Sequence, residues 1–180
     1  MAIRDLDAFL PAAPAPLRVL ANRGANGIDG MVSSALGAAA ASGRPLCLLT
    51  GDVAFLHDVG GLLAAAKHAI RATIVVVNDD GGAIFSYLPI AAHAGSVDFD
   101  ELFRTPHGVD LAHAARLARA SYVRADGLDH YRGALKEALA SHALSIVEVP
   151  VAADANLAQH RAIAAGVTRE LAGIDFEAAS

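Results

Sequence analysis

The sequence predicts an α/β fold, a three-layer domain in which a parallel sheet is covered by helices on both faces. Short apolar runs at residues 46–49, 72–77 and 144–149 have strand length, and the last two are rich in β-branched side chains. Alanine-rich segments of helical length separate them, the alternation expected of βαβ crossovers. The runs at 46–49 and 72–77 stop at Gly51-Asp52 and Asn78-Asp79-Asp80-Gly81-Gly82, so both strand ends carry carboxylates beside glycines.

A chain of 180 residues with 54% hydrophobic content is long enough for one domain with a full core. The formal net charge of −5 argues against a nucleic-acid or anionic-membrane partner. Cys47, the only cysteine, leaves no intrachain disulfide and reads as a small hydrophobe in a buried strand, in keeping with a cytoplasmic protein. The opening MAIRDLDAFLPAAP has no signal-peptide core, and no apolar run nears the roughly 18 residues of a membrane span.

In chain order, residues 1–16 form a lead-in segment in which Pro11, Pro14 and Pro16 oppose a regular helix. Residues 17–21 read as a first strand, and residues 22–30 as a glycine-rich loop. Ile28 is that loop's one large apolar side chain, placed either to plug the loop to the core or to support a ligand. A small-residue helix over 29–42 ends at Gly43, and a strand begins after Pro45. The crossover helix spans 56–69 and contains Gly60-Gly61, each weakening it by about 1 kcal/mol relative to alanine, which points to close packing against another backbone. After the strand at 72–77, residues 83–89 form a helical turn with Ile84, Phe85 and Leu88 on one face, as core or as a ligand wall. Residues 90–108 read as a long loop with a short turn at 99–103, the kind of segment that often binds or covers a ligand. Helices at 111–120 and 128–141 alternate with strands at 121–124 and 144–149, and a last helix over 154–171 is N-capped by Asp154. The count is five parallel strands.

Open parallel sheets bind ligands outside the carboxyl ends of their strands. Asp52 and Asp79 lie 27 residues apart, about one crossover, which brings both to one rim. A lone Gly-Asp turn reads more readily as a helix N-cap, but the pair at this spacing reverses that balance in favour of a hard cation. Mg²⁺ takes one or two protein carboxylates and completes its octahedron with phosphate oxygens and water. Gly51 and Gly81 let the backbone approach a diphosphate closely. The eight histidines show no paired ligand spacing, and His57, five residues after Asp52, is the one expected near the rim.

Gly51-Asp52 followed by Asn78-Asp79 and Gly81 resembles the signature of thiamine diphosphate enzymes. That resemblance implies a PP-type thiamine diphosphate-binding domain. It also implies an Mg²⁺ (Mn²⁺ as an alternative) held by the side chains of Asp52 and Asp79 and the main-chain carbonyl of Gly81. Asp79 stands where that family usually has asparagine, which keeps a ligand oxygen and adds a negative charge. More specifically, residues 22–30 and 81–89, with the opening Ile3-Arg4-Asp5-Leu6-Asp7-Ala8-Phe9, resemble the SEPHCHC synthases of menaquinone biosynthesis.

This second resemblance runs over most of the chain and implies a carboligation in which 2-oxoglutarate is decarboxylated and joined to isochorismate. It places Arg4 and Arg23 on substrate-binding positions, where guanidinium pairs with carboxylate. Gly51, Asp52, Val53, Ala54, Asn26 and Ile28 would contact the cofactor, with Ile28 propping its bent form. Ile84, Phe85 and Leu88 would wall the reacting carbon. The glutamate that activates the cofactor belongs, in that family, to a pyrimidine-binding domain of another protomer, and Glu101, Glu137, Glu148, Glu170 and Glu177 match no such position. A family serine would directly precede Met1. The expectation is therefore a lead-in at 1–16, left from a junction with upstream domains, and a diphosphate-binding domain at 17–180. Such a chain would be homo-oligomeric and inactive alone. Two other readings remain: a small subunit of a split thiamine diphosphate-dependent 2-oxo acid decarboxylase, and a non-catalytic domain fragment.

Overall fold

The structure is a computed structural model that describes residues 2–11, 17–22 and 27–174. The chain begins with helix α1 (Ala2–Phe9) and α2 (Met31–Ser42), followed by strand β1 (Cys47–Gly51). Helices α3 (Asp52–His57) and α4 (Leu62–His68) then lead to β2 (Thr73–Asn78). After a run of short turns come α5 (Ala112–Leu117), β3 (Ser121–Arg124), α6 (Leu128–Ala140), β4 (Ser145–Pro150) and α7 (Ala153–Ala172). All strand pairings are parallel and the sheet order is β1-β2-β4-β3. No helix among the described residues is long and apolar enough to cross a membrane.

Alternation along the strands sends side chains to two separate cores. Leu48, Ile74, Val76 and Ile146 face one side, where Val32 and Leu36 of α2, Phe55 of α3, Leu62 of α4 and Ala114 and Ala115 of α5 cover them. Val75 and Val147 face the other, under Ala134 and Ala138 of α6. Helices on both faces of a parallel sheet match the fold class expected from the sequence.

Several boundaries differ. The expected first strand at 17–21 has no regular structure, and Leu17, Val19 and Leu20 are 63%, 53% and 64% exposed. A short apolar run becomes a strand only when it has a neighbour to pair with. The lead-in forms α1, because the prolines begin at Pro11 and end a helix without preventing one before them. Cys47 is exposed rather than buried, at the start of the edge strand β1. Asp154 lies in the first turn of α7 rather than at its cap, which is Ala152.

The crossover helix expected at 56–69 is divided into α3, a 3₁₀ turn at Val59–Gly61, and α4. Asp58 explains the break. Its carboxylate accepts the Ser33 main-chain N–H at 2.6 Å and the Ser33 hydroxyl at 2.8 Å, so it caps α2 from another segment instead of continuing its own helix. Gly61 permits that approach, as a Cβ there would stand 2.6 Å from Ser33 Oγ and 3.1 Å from Ser33 N. Gly60 meets nothing within 4 Å. Gly61→Ala is therefore expected to lower unfolding free energy by about 1–3 kcal/mol in denaturant titration, while Gly60→Ala stays within about 1 kcal/mol of the parent or stabilises it.

Candidate cofactor and metal site

The register between β1 and β2 pairs Gly51 with Val77, so Asp52 and Asn78 leave the sheet at the same level. Gly51 is extended (φ −85°, ψ 164°) and Asp52 opens α3. Asp52 is 3% exposed, and every donor around its carboxylate comes from this rim. Oδ1 accepts the Val53 N–H at 2.8 Å. Oδ2 accepts the Gly81 N–H at 2.8 Å and lies 3.1 Å from His107 Nε2. Because His107 Nδ1 accepts the Val109 N–H at 2.9 Å, the bonding assigns the imidazole proton to Nε2, which donates to Asp52.

The turn after β2 is held from two sides. Asn78 Oδ1 accepts the Asp80 N–H at 3.0 Å, and Asp80 takes a left-handed conformation (φ 57°). Asp80 Oδ1 accepts the Gly108 N–H at 2.8 Å. Gly82 donates its N–H to the Arg104 carbonyl at 2.6 Å. Gly81 is buried with φ 132°, and a Cβ there would collide with the Arg104 carbonyl and stand 3.1 Å from the Thr105 carbonyl oxygen. The glycine requirement thus comes from the segment at 103–105 crossing over the turn. Gly51, whose Cβ would only touch the Val77 carbonyl at 4.0 Å, carries no such requirement.

Asp79 lies between these anchors. Its Oδ1 is buried without a hydrogen-bond partner. Burial first, and then the Asp52 carboxylate, raise its pKa above the ordinary aspartate value of 3.8, against the smaller pull of the Ala83 N–H and Arg104. An orphaned carboxylate oxygen in the field of a second, buried carboxylate is a donor set that suits a hard divalent ion. Among the described residues no three His, Cys, Asp or Glu side chains group as a metal cluster. Two carboxylates supplemented by a backbone carbonyl fit Mg²⁺, which takes few protein ligands, better than a metal held by side chains alone. Beside the turn, Asn78, Asp79, Asp80, Arg124, Pro150, Val151 and Ala152 line a cleft of about 330 Å³.

The other expected site residues divide. Val53 and Ala54 lie in the first turn of α3 and are partly exposed. Ile28 is 37% exposed and not part of either core. Arg23 and Asn26 lie outside the described residues. Arg4 is exposed on α1, a helix tied to α7 by Asp5 and His160 at 3.3 Å. The His160 ring in turn packs edge-on against Tyr87 at 5.4 Å, which sets α1 beside the residues following the turn after β2.

Ala83–Tyr87 is a 3₁₀ helix. With three residues per turn, Phe85 aligns with Leu88 and Ile84 with Tyr87, so the expected single face of Ile84, Phe85 and Leu88 does not form. Phe85 packs on Phe103 at 5.8 Å, and Leu88 is 46% exposed. His57 pairs with Asp29 at 3.3 Å, both half-exposed. The histidine at the rim is His107 instead, delivered by the long loop from 55 residues beyond Asp52, a separation at which sequence spacing carries no signal.

A parallel sheet with paired carboxylates at the end of one crossover defines a cofactor-binding α/β domain. Residues 5–149 match the family model described as thiamine pyrophosphate enzyme, C-terminal TPP binding domain, and the chain belongs to that family. It is 55% identical over 171 residues to the 2-succinyl-5-enolpyruvyl-6-hydroxy-3-cyclohexene-1-carboxylate synthase of Myxococcus xanthus, covering 95% of this chain and 29% of that protein. It is 48% identical to the synthase of the same name from Geobacillus kaustophilus, covering 96% of this chain and 29% of that one. The chain thus spans less than a third of the length of these relatives. Benzoylformate decarboxylase from Polynucleobacter necessarius superposes on 72% of this chain and 24% of its own with a TM-score of 0.62. At 23% identity that likeness bears on the fold alone.

The raised Asp79 pKa fixes a pH dependence for the metal-free chain. An acid whose folded pKa is raised contributes stability below its ordinary pKa and loses it as pH rises through the folded value. Asp79→Asn does not titrate, so its melting temperature relative to the parent should rise as pH increases above the ordinary aspartate value of 3.8, measured by thermal unfolding in chelator.

Proposed function

We propose that this chain is the diphosphate-binding part of a SEPHCHC synthase, the thiamine diphosphate- and Mg²⁺-dependent enzyme of menaquinone biosynthesis that joins 2-oxoglutarate, with loss of CO₂, to isochorismate. The observation that carries the reading is the partnerless buried oxygen of Asp79 beside the buried Asp52 carboxylate at the shared end of β1 and β2. The relatives' names support the choice of substrates.

In this reading Asp52, Asp79 and the Gly81 carbonyl hold Mg²⁺, and the metal with nearby backbone amides holds the diphosphate. Bound there, thiamine diphosphate supplies the reactive carbon needed for decarboxylation and carbon–carbon bond formation. The chain's own residues position and exclude. His107 and Gly81 hold the Asp52 carboxylate so that it need not reorganise when the cation arrives. Gly51, Val53, Ala54, Asn26 and Ile28 contact the cofactor, Ile28 as the prop for its bent form. Arg4 and Arg23 pair with substrate carboxylates, and Phe85 and Leu88, which share a face of the 3₁₀ turn, keep water from the reacting centre. Activation of the cofactor requires a carboxylate from a pyrimidine-binding domain, on another chain or another part of the protein, so the 180 residues of this sequence do not turn over by themselves.

Two measurements test this. Thiamine diphosphate with Mg²⁺ should raise the melting temperature, equivalent to about 2.7 kcal/mol at a hundredfold excess over Kd, and Asp52→Ala should abolish the shift. Absence of heat in calorimetric titration of the parent chain would sink the cofactor assignment. Incubation of the chain with both substrates, cofactor and metal should yield no sustained product, and sustained turnover would overturn the need for a second domain.

A further inference from the structure

Glu148 has no part in the site as described so far. It lies on β4 between apolar neighbours and is 3% exposed, in a sheet whose pairing does not require a charge there. A buried carboxylate costs several kcal/mol unless its oxygens are satisfied, and this one is satisfied from three directions. Oε1 accepts Asn78 Nδ2 at 3.0 Å and Arg124 Nε at 3.2 Å, and Oε2 accepts the Tyr122 hydroxyl. Arg124 is 58% exposed, which leaves its ion pair screened and weak.

The bond to Asn78 has the larger consequence. A side-chain amide has two chemically opposite ends, and only one orientation offers its oxygen to Asp80. With Nδ2 held by Glu148, Oδ1 is aimed at the Asp80 N–H, 3.0 Å away. Asp80 is then fixed in its left-handed conformation, between the two residues assigned to the metal. Asn78 is also fixed through its backbone, its carbonyl accepting the Val151 N–H at 2.8 Å from the chain beyond β4.

We propose that Glu148 is a positioning residue for the metal turn: by holding the Asn78 amide in one orientation it sets the conformation at Asp80 and so the aim of the Asp79 side chain and the Gly81 carbonyl. The inference rests on the reading of Asp52, Asp79 and Gly81 as metal ligands. Glu148 touches neither metal nor cofactor and acts only through Asn78.

The test uses the full 180-residue chain and two readouts. Glu148→Met preserves the buried volume and removes the acceptor, a replacement that buried charged positions often tolerate. Amide hydrogen exchange at Asp80 and Gly81 should accelerate about tenfold or more while Ile74 and Val147 in the sheet remain near parent rates. The Kd for Mg²⁺ with thiamine diphosphate, by calorimetry, should weaken about tenfold. Glu148→Gln, which still offers Asn78 a carbonyl oxygen, should restore both to within about threefold of the parent. Should the methionine variant not fold, Glu148→Asp keeps the charge, withdraws its oxygens by one carbon, and is expected to loosen the same two amides. Unchanged exchange at Asp80 and Gly81 in the methionine or aspartate variant, or a glutamine variant as loose as methionine, overturns the proposal. A parent chain that binds no thiamine diphosphate would defeat the cofactor reading, and the exchange experiment would still decide the role of Glu148.

Discussion

A carboxylate cannot be buried without donors, and the need to satisfy Asp52 organises the whole rim. Asp52 is placed by the end of β1 and the start of α3, and it is almost completely shielded from water. One donor, the Val53 N–H, is supplied by its own helix start, but the other oxygen has to be satisfied from outside. The turn after β2 supplies Gly81 and the long loop supplies His107, so three separate segments converge on one group. Parallel pairing of β1 with β2 makes this convergence geometrically available, because both strands end at the same level.

The same convergence explains the glycines. Once residues 103–105 cross the turn closely enough for the Arg104 carbonyl to accept the Gly82 N–H, no side chain fits at Gly81. Asp80 is left-handed without being glycine, a strained choice for which its side chain compensates by accepting the Gly108 N–H and so tying the loop down again. Strain, close approach and hydrogen bonding therefore share one cause, the closure of the loop over the end of β2.

Charge at this rim is unbalanced. Asp52, Asp79 and Asp80 gather in a chain whose formal net charge is already −5, and His107 meets two of them, its ring nitrogens 3.1 Å from Asp52 Oδ2 and 3.4 Å from Asp80 Oδ1. Burial and mutual repulsion push Asp79 toward its protonated form, a cost that a divalent cation would remove. A position that is unfavourable empty and favourable with a cation is what a binding site needs to couple metal, diphosphate and the order of the surrounding turn.

The sequence by itself determined the layered α/β class, the βαβ unit and the meeting of Asp52 with Asp79, because strand length, helix length and punctuating glycines are local signals that one crossover converts into position. It also marked Gly60-Gly61 as a place of close packing, and the structure assigned that contact to Gly61 alone, whose Cβ would meet Ser33. Only the tertiary structure decided that residues 17–21 are not a strand, that Asp58 divides the crossover helix to cap α2, and that residues 83–87 wind as 3₁₀. It likewise chose His107 over His57 and brought Glu148 to Asn78. The roles of Asp58, His107 and Glu148 depend on partners 25 to 70 residues away, and the energy of a hydrogen bond to a distant group leaves no periodic trace in the chain that makes it.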